Sequence, residues 1–382
     1  MKKFLEGSKA IAETIKLCRP EVVAVYPITP QTHIMENLAK FKAEGQADFQ
    51  YIKPESEMAA ISAVLGASAA GARAYTASAS QGILLMSEVL YNIGGMRLPV
   101  VMTCANRAVS APINIWNDQQ DAMILRDSGW IMLFAENNQE ACDLHIQAYK
   151  IAEETNLPVM VCVDGLVLTH TFEAVDIREQ KLIDKFLPKR KLLAGQYLNP
   201  KNPATLGGMS TPESYMPTRK KIHEDLLASK KNLKKNSADF NKKFSLKGAN
   251  AELAEYFGPK NPDLMLVAMG SVLGTIRHTL NNNLAGNKKI GVLKIKCFRP
   301  FPDEEISRII LKNKPKKIAV LDRAVSLGHG GILATEIKNI CPGEKISSFI
   351  VGLGGKDIRP EDIVRIIKGV NAKQNCSPKF VI

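Results

Sequence analysis

The feature that most constrains the fold of this chain is an alternation of short apolar runs with helical patterns. Near the N-terminus, Glu21–Tyr26 is a β-branched run, and Gln31–Glu44 follows it with apolar residues at helical spacing. The same pair of patterns recurs in Ala72–Ala77 and Gly82–Ile93, and Leu98–Cys104 continues the series. Strands that alternate with helices form mostly parallel sheets covered by helices on both faces. The sequence therefore predicts an α/β fold with a doubly wound sheet.

The alternation stops near Leu166 and resumes after Asn261. Residues 187–220 carry proline and glycine with little periodicity, which indicates an extended arm that packs along another surface. A lysine-rich segment of helical character follows, and the strand–helix pattern then returns over a shorter stretch. We therefore expect two domains. Residues 1–248 would contain the first sheet, the arm and the lysine-rich helix, and residues 249–382 would form a second, smaller α/β domain.

The positive charge of the chain is concentrated in one segment. The 382 residues include 51 Lys and Arg against 38 Asp and Glu, a formal net charge of +13. Ten of the basic and three of the acidic residues lie between Arg219 and Lys247, so this segment supplies +7. It is interpreted either as a solvated helix face or as a docking surface for an acidic protein partner. No recognised nucleic-acid-binding module surrounds it, so we expect no nucleic-acid partner.

The hydropathy pattern and the cysteine spacing limit the environment of the protein. The sequence has neither a run of about 18 apolar residues, as a membrane span requires, nor the apolar core of a secretory signal. The seven cysteines are dispersed, and the closest pair, Cys142 and Cys162, is too far apart for a C-x-x-C motif. We therefore expect a cytoplasmic protein with reduced thiols, in which any iron–sulfur clusters belong to partner chains.

Two candidate site residues lie at turns of the first domain, where open α/β sheets bind ligands. Thr29 follows the first predicted strand and stands between Pro27 and Pro30, which fix the backbone around it. An ordinary proline-stiffened turn with a helix cap is the alternative. Glu57 opens a helix of small residues that can pack closely and bury its own beginning. A carboxylate there can share a proton with a ring nitrogen of a ligand, or it can simply complement the helix dipole.

Arg107 is a third candidate, because it closely follows the strand Leu98–Cys104. An arginine that points into a crevice suits bidentate capture of a substrate carboxylate, and a surface arginine is the alternative. The small polar turn Thr76–Gly82 lacks the glycine spacing of a dinucleotide site or a P-loop. Gly270–Ser271 forms either an anion-binding nest or a tight turn. His329 has no partner at metal-ligand spacing and is interpreted as structural, and we expect no metal ligands in this chain.

Seven segments resemble, in the same order, the α chain of the 2-oxoacid:ferredoxin oxidoreductase family, and together they extend over nearly the whole chain. The most specific are Tyr26–Thr32 (YPITPQT), Glu55–Gly82 and Ala105–Trp130. The later ones are Phe134–Leu144, Met269–Thr275, Arg299–Pro302 and Gly352–Ile358. The stretch after Arg107 is most similar to that of the pyruvate-type enzymes, whereas the branched-chain type tends to differ there.

This resemblance implies thiamine diphosphate, held between two related folds that bind its pyrimidine and its Mg²⁺-diphosphate. The chain resembles the pyrimidine-side fold, followed by a domain like the C-terminal domain of transketolase. It has no Gly-Asp-Gly with a distal Asn, and Asp164-Gly165 lacks the leading glycine, so Mg²⁺ is expected on a separate β subunit. By position, Glu57 matches the carboxylate that hydrogen-bonds N1′ of the pyrimidine. Thr29 matches a residue that hydrogen-bonds the substrate, and Arg107 matches one that pairs with the substrate carboxylate.

The activity implied by the resemblance is the reversible oxidative decarboxylation of pyruvate with coenzyme A to acetyl-CoA and CO₂. Electrons would pass through iron–sulfur clusters on partner subunits to ferredoxin. One alternative is the branched-chain enzyme, which acts on 2-oxoisovalerate, and another is a non-catalytic scaffold subunit. Loss of Glu57, Thr29 and Arg107 would mark a scaffold, and all three are present.

Overall fold

The computed structural model describes residues 2–192, 195–246, 248–286, 288–370 and 378–382. Its strands, in chain order, are β1 (Lys2–Glu6), β2 (Val22–Ala24), β3 (Gln50–Ile52), β4 (Ala74–Ser78), β5 (Val101–Asn106), β6 (Ile131–Phe134), β7 (Val159–Asp164), β8 (Phe172–Asp176), β9 (Ala254–Phe257), β10 (Leu264–Ala268), β11 (Ile290–Ile295), β12 (Cys297–Arg299), β13 (Ile318–Asp322), β14 (Val325–Ser326), β15 (Gly330–Gly331), β16 (Ile346–Ile350) and β17 (Lys379–Phe380). Its α-helices are α1 (Gly7–Leu17), α2 (Thr32–Ala43), α3 (Glu57–Ala69), α4 (Ser80–Met96), α5 (Gln120–Ile124), α6 (Asn138–Thr155), α7 (Gln180–Phe186), α8 (Pro212–Lys243), α9 (Val272–Asn281), α10 (Asp303–Asn313), α11 (Ile332–Ile340) and α12 (Pro360–Gly369).

The first sheet has seven strands in the order β12-β6-β7-β5-β4-β2-β3. Its strands are parallel, except that β12 runs antiparallel to β6. The chain passes outward from β2 to β3 and then returns to place β4 on the other side of β2, so the strand order reverses between β2 and β4. Such a reversal opens a crevice at the carboxyl ends of the strands. The predicted doubly wound α/β sheet is confirmed.

Helices cover both faces of this sheet because alternate strand residues are apolar on both sides. Ala24 and Met102 contribute to one core, together with residues of α3 and α4. Their neighbours Val23 and Val101 contribute to the opposite core, with residues of α1, α2 and α6. Successive strand residues point to opposite faces, so a strand that is buried on both sides carries a continuous apolar run. The short β-branched runs of the sequence are strands of this kind.

The segment between the two halves is more regular than its composition suggests. The prediction of an extended arm is wrong for residues 212–220, because α8 begins at Pro212. A proline at the first helical position loses no hydrogen bond, since that N–H has no partner within the helix, and a capping box precedes it. The residues before α8 lack long regular elements and lie against α3. There the Leu198 N–H donates to the Ala69 carbonyl at 2.7 Å.

The lysine-rich helix α8 turns its apolar residues inward. Ile222, Leu233 and Phe240 are buried, and the Phe240 ring meets Phe186 edge-on with 5.2 Å between the centroids. Exposed lysines such as Lys221 pair with acidic residues one turn away in the same helix. This arrangement confirms the helix predicted from apolar spacing and fits the solvated-face interpretation of its charge. Among the described residues, no helix combines the length and the apolar character that crossing a membrane demands.

The second half of the chain forms a six-stranded sheet in the order β17-β16-β13-β10-β11-β9. Its strands are parallel, except that β9 runs antiparallel to β11. Four parallel strands, β10, β11, β13 and β16, form its centre, as the strand–helix pattern after Asn261 predicts. The division of the chain at residue 248 stays a prediction. Strand β12 is among those that were not expected, and it leaves this half of the chain to pair Cys297 with Leu133 at the edge of the first sheet.

Candidate active site

The three residues singled out from the sequence lie at one edge of the first sheet. Thr29 follows β2, Arg107 follows β5, and Glu57 opens the helix that leads into β4. Because β5, β4 and β2 are adjacent, the carboxyl ends of these strands flank the crevice created by the reversal of strand order. Arg107 and Thr29 are in direct contact, since Arg107 Nη1 donates to the Thr29 carbonyl oxygen at 3.0 Å.

Glu57 faces the start of α4 at close range. Ser56 caps α3 by accepting a hydrogen bond from the Ala59 N–H at 3.1 Å, and this cap places Glu57 at the first helical position with 8% of its surface exposed. A Cβ atom at Gly82 would lie 2.8 Å from Glu57 Oε1 and 2.3 Å from Ser78 Oγ. A glycine at this position therefore lets α4 approach the carboxylate.

Several buried polar atoms on β4 and just before α2 have no hydrogen-bond partner among the described residues. The buried hydroxyls of Thr76 and Ser78 are unpaired, and so is the side-chain carbonyl of Gln31. Within the described ranges, no donor hydrogen-bonds the Glu57 carboxylate. Buried polar groups are normally paired, and leaving one unpaired costs about 1–3 kcal/mol. Unpaired hydroxyls on β4, together with a carboxylate that accepts no hydrogen bond from the described residues, therefore fit a polar ligand with ring nitrogens, such as an aminopyrimidine.

The Arg107 guanidinium binds two backbone carbonyls. Besides Thr29, its Nε donates to the Asn114 carbonyl at 2.9 Å. Among the described residues, no carboxylate lies within ion-pair distance of this guanidinium. Burial lowers the pKa of Arg107, whereas the negative charge of Asp121 acts in the opposite direction. The group is half-buried, remains charged because an arginine pKa is far above neutral, and has donors left for an anion.

Asp121 organises this edge of the sheet, although the sequence patterns did not single it out. Its fully buried carboxylate accepts hydrogen bonds from the Ser80 N–H at 2.9 Å, the Arg107 N–H at 3.0 Å and Asn106 Nδ2 at 2.8 Å. Burial raises the pKa of Asp121, and these hydrogen bonds act against that rise. Ser80 has a left-handed backbone with φ +47°, which a non-glycine residue adopts at a cost unless its surroundings hold it. Asp121 thus fixes the backbone on both sides of the crevice.

The loop that carries Arg107 and Asn114 rests on the second half of the chain. Asn114 Nδ2 donates to the Gly354 carbonyl at 3.0 Å. A Cβ atom at Gly355 would lie 2.2 Å from Trp116 Cβ, and both glycines have positive φ. The glycine-rich turn in the segment Gly352–Ile358 is therefore required for close contact with the Arg107 loop. The sequence alone did not predict a contact between this turn and the Arg107 loop.

The turn at Gly270–Ser271 binds an anion, and that anion is the chain's own Asp164. The Ser271 N–H donates to Asp164 at 2.7 Å, and Arg323 Nη1 donates to the same carboxylate at 2.9 Å. Burial opposes ionisation of Asp164, but the Arg323 charge and the Ser271 hydrogen bonds outweigh it and hold the pKa of this carboxyl below its usual range. Asp164 and Arg323 are 1% and 4% exposed, so this nest joins the two halves of the chain.

His329 lies apart from these groups. It occupies the exposed turn between β14 and β15, where its N–H donates to the Ser326 carbonyl at 2.9 Å. The sequence predicted a structural role for His329, and the structure places this residue in a surface turn. It contributes nothing to the crevice formed by Thr29, Glu57 and Arg107.

The fold and the crevice define the class of protein. A doubly wound α/β domain that presents a carboxylate, unpaired hydroxyls and an uncompensated arginine at its switch point is a ligand-binding domain of a cofactor-dependent α/β enzyme. Comparison with known families makes this specific. Residues 13–237 match the thiamine-diphosphate-binding domain of the pyruvate flavodoxin/ferredoxin oxidoreductases, and residues 262–363 match core domain II of pyruvate:ferredoxin oxidoreductase. The chain belongs to this oxidoreductase family.

Individual relatives agree with this membership. The chain is 47% identical to pyruvate synthase subunit PorA of Methanocaldococcus jannaschii, covering 99% of this chain and 97% of that one. It is 40% identical to ketoisovalerate oxidoreductase subunit VorA of Pyrococcus horikoshii, covering 96% and 93%. The sequence-based interpretation of the chain as a member of this family, similar to its pyruvate synthase subunits, is confirmed.

A solved structure shares the fold. The 2-oxoglutarate:ferredoxin oxidoreductase from Magnetococcus marinus, determined with 2-oxoglutarate, coenzyme A and succinyl-CoA bound, superposes with a TM-score of 0.72 at 22% identity. The match covers 96% of this chain and 65% of the length of that chain. At 22% identity this similarity shows a common fold, and it does not identify the substrate of this chain.

Proposed function

We propose that this chain is the α subunit of a pyruvate:ferredoxin oxidoreductase. The complex would convert pyruvate and coenzyme A to acetyl-CoA and CO₂, reversibly, and pass two electrons to ferredoxin. The observation that carries this proposal is the contact between Arg107 and Thr29 at the switch-point crevice that Glu57 also lines. The similarity to chains named pyruvate synthase subunit PorA supports pyruvate as the substrate.

Glu57 is proposed to hold the pyrimidine ring of thiamine diphosphate. When bound, that cofactor supplies a nucleophilic carbon and an electron sink for decarboxylation. The carboxylate of Glu57 would accept a hydrogen bond at N1′ of the ring and hold or release a proton there. The unpaired hydroxyls of Thr76 and Ser78 support this role, since they add polar partners on strand β4. Proton transfer by a positioned side chain contributes about 10²–10⁴-fold to rate.

Arg107 and Thr29 are proposed to orient the 2-oxoacid. The guanidinium would pair with the substrate carboxylate, and the exposed side chain of Thr29 would hydrogen-bond the substrate near its carboxylate and keto oxygen. Arg107 is held by two carbonyls and by Asp121 through its own N–H, so its position is fixed before the substrate arrives. Such preorganisation favours the reacting geometry.

The remaining parts of the reaction are proposed to lie on partner chains. A β subunit would carry the Mg²⁺-diphosphate site, and separate iron–sulfur subunits would conduct electrons to ferredoxin. The described cysteines support this division, because Cys18, Cys104, Cys142, Cys162 and Cys297 are buried free thiols. Burial raises the pKa of a thiol such as Cys142 to about 12, which opposes metal binding through its thiolate. We place the complex in the cytoplasm.

A branched-chain 2-oxoacid enzyme is the second candidate. It is favoured by the 40% identity to ketoisovalerate oxidoreductase subunit VorA over nearly the whole chain. The distinction depends on the room beside the methyl group of the substrate, which the β subunit would share.

The experiment is to purify the complex that contains this chain and to measure ferredoxin reduction with coenzyme A and each of three acids: pyruvate, 2-oxoisovalerate and 2-oxoglutarate. We expect the highest kcat/KM with pyruvate. A clear preference for 2-oxoisovalerate would select the second candidate, and a preference for 2-oxoglutarate would refute both. Equal rates for the wild-type complex and a Glu57→Gln complex would instead identify the chain as a scaffold.

A further inference from the structure

Three potential metal ligands converge at a place that neither the crevice nor the proposed reaction uses. One ligand atom each from Glu6, His33 and His170 lies within 4.8 Å of the other two. The residues are far apart in sequence, and they come from the end of β1, the first turn of α2 and the turn after β7. Spacing rules for metal motifs could not reveal them, because such rules read neighbouring residues.

The side chains already contact one another. Glu6 Oε1 lies 2.7 Å from His33 Nδ1, and the His33 and His170 rings are 4.7 Å apart between centroids at an angle of 37°. His170 Nδ1 lies 2.8 Å from Thr169 Oγ1, which also accepts a hydrogen bond from the Leu166 N–H at 2.8 Å. A histidine with one ring nitrogen bonded to a neighbour in this way presents its other nitrogen in a fixed direction, as metal-binding histidines do.

The backbone around the cluster is tightly fixed. β1 pairs with β8 in a separate two-stranded ribbon, and the Gly7 and Ser8 N–H groups donate to the carbonyls of Thr171 and Thr169. A Cβ atom at Gly7 would lie 2.0 Å from the Leu168 carbonyl oxygen. Glu6 is therefore held against the turn that carries His170, and a glycine is needed beside it.

An ion pair between Glu6 and His33 is the simpler interpretation, but it gives His170 no role. The His170 ring instead stacks on the His33 ring, which places two imidazoles beside the one carboxylate of Glu6. A neutral imidazole is the form that binds a metal. Two imidazole nitrogens and one carboxylate oxygen are the ligands of zinc and of similar divalent transition metals.

We propose that Glu6, His33 and His170 form a binding site for a divalent transition metal of the zinc class. Bonds of about 2.0–2.2 Å to one ion require the ligand atoms to approach within about 3.5 Å of one another. The half-exposed rings of His33 and His170 would rotate to reach this distance on binding. The fourth position remains for water. The ion would tie the β1–α1 junction, the start of α2 and the turn after β7 together, and α2 begins just after the loop of Thr29. This site is independent of the proposed reaction, because it uses none of the crevice residues.

The test uses the full chain, stripped of metal with a chelator and titrated with Zn²⁺ against a competing indicator dye. We expect about one equivalent to bind to the wild type. His33→Gln and His170→Gln should each weaken binding about 100-fold or more, beyond the 10–100-fold typical of residues that only support a ligand. His329→Gln is the matched control, since it removes a histidine from an exposed turn elsewhere, and it should bind zinc like the wild type.

Cobalt provides a second measurement that does not depend on the variants. Co²⁺ bound by nitrogen and oxygen ligands gives weak visible bands, whereas thiolate ligands add a strong near-ultraviolet charge-transfer band. We expect the visible bands alone in the wild-type chain, together with a zinc-dependent rise in its melting temperature. No stoichiometric zinc binding by the wild type, equal binding by the histidine variants, or a thiolate band with Co²⁺ would each overturn the proposal.

Discussion

Two turns of this molecule are built alike but serve different ends. After β4, the Ser80 N–H donates to the buried carboxylate of Asp121, and after β10 the Ser271 N–H donates to the buried carboxylate of Asp164. Each turn has a residue with positive φ, and each lies at the carboxyl end of a central strand. The two turns differ in the ion pairing of the arginine next to each, which is Arg107 for the first and Arg323 for the second.

In the second turn, the arginine is neutralised. Arg323 pairs with Asp164, and both are almost completely buried. In the first, Arg107 gives its backbone N–H to Asp121 but turns its guanidinium to the carbonyls of Thr29 and Asn114. One turn is thus electrostatically complete and joins the two halves of the chain. The other keeps a positive charge without a carboxylate partner among the described residues, and the proposed substrate carboxylate would compensate it.

The largest expected effect comes from Glu57, the carboxylate that faces the start of α4 after the first turn. Glu57→Gln should leave an assembled complex that still binds thiamine diphosphate but loses about 10²–10⁴-fold in kcat, because an amide cannot take up a proton at N1′. Hydrogen–deuterium exchange at C2 of the bound cofactor measures this directly. Glu55→Gln, two residues earlier and exposed, is the control and should retain normal exchange. Normal exchange in the Glu57 variant would refute its role.

Removing the charge of Asp164 at the second turn should lower the stability of the folded chain. Asp164→Asn leaves Arg323 buried without its counter-charge, and breaking such a pair costs about 3–5 kcal/mol. Urea unfolding of the full chain at pH 7 measures the loss. Asp184→Asn, which removes an exposed partner of Arg19, should change stability little. A small effect of the Asp164 substitution would show that the two turns do not differ as described.

The same pair predicts a pH dependence. The pKa of Asp164 is lower in the folded chain than its unfolded value of about 3.9, so its stabilisation is fully present above pH 4. It should be lost as the pH falls through the folded-state pKa. Wild type and Asp164→Asn should therefore converge in stability as the solution is acidified, and a constant difference down to pH 2 would contradict this.

Removing the charge of Arg107 should weaken substrate binding. Arg107→Ala should raise KM for pyruvate and lower kcat/KM by about 30- to 5,000-fold, since losing one partner of a desolvated charge pair costs about 2–5 kcal/mol. Arg107→Lys should recover only part of the loss, because a point charge does not reproduce the planar fork. Steady-state kinetics of the complex measure both. Arg308→Ala, at an exposed position, is the control. Near-normal kinetics for Arg107→Ala would make that residue a surface arginine.

The smallest effect is expected at Thr29. Thr29→Val keeps the volume and the backbone carbonyl that holds Arg107, and removes one hydrogen bond worth about 1–3 kcal/mol when unsatisfied. The kcat/KM for pyruvate should fall accordingly, while the affinity of the complex for thiamine diphosphate stays unchanged. A loss as large as that of Arg107→Ala would mean that Thr29 acts on the arginine rather than on the substrate.

Local patterns predicted the central strands of both sheets and pointed to the three candidate residues, but not the strand order. Apolar runs such as Leu98–Cys104 are buried on both faces, and burial of that kind is visible in a sequence. Asp121 could not be found in this way, because a polar stretch does not show which of its carboxylates is enclosed. The convergence of Glu6 with His170 depends on a ribbon between distant strands, and such long-range pairing leaves no local signal. The start of α8 was missed because its prolines suggest a turn, although the first one occupies a position that tolerates it.

The position of the edge strand β12 affects how the first sheet folds during synthesis. It covers the outer edge of β6, but the ribosome reaches Arg299 only 165 residues after Phe134. At about 5–20 residues per second, β6 would wait roughly 8–33 s with its hydrogen-bonding groups exposed. An uncovered edge strand invites pairing with other nascent chains. A fragment that stops before β12 would keep that edge permanently, so aggregation during expression is the expected fate of the isolated N-terminal half.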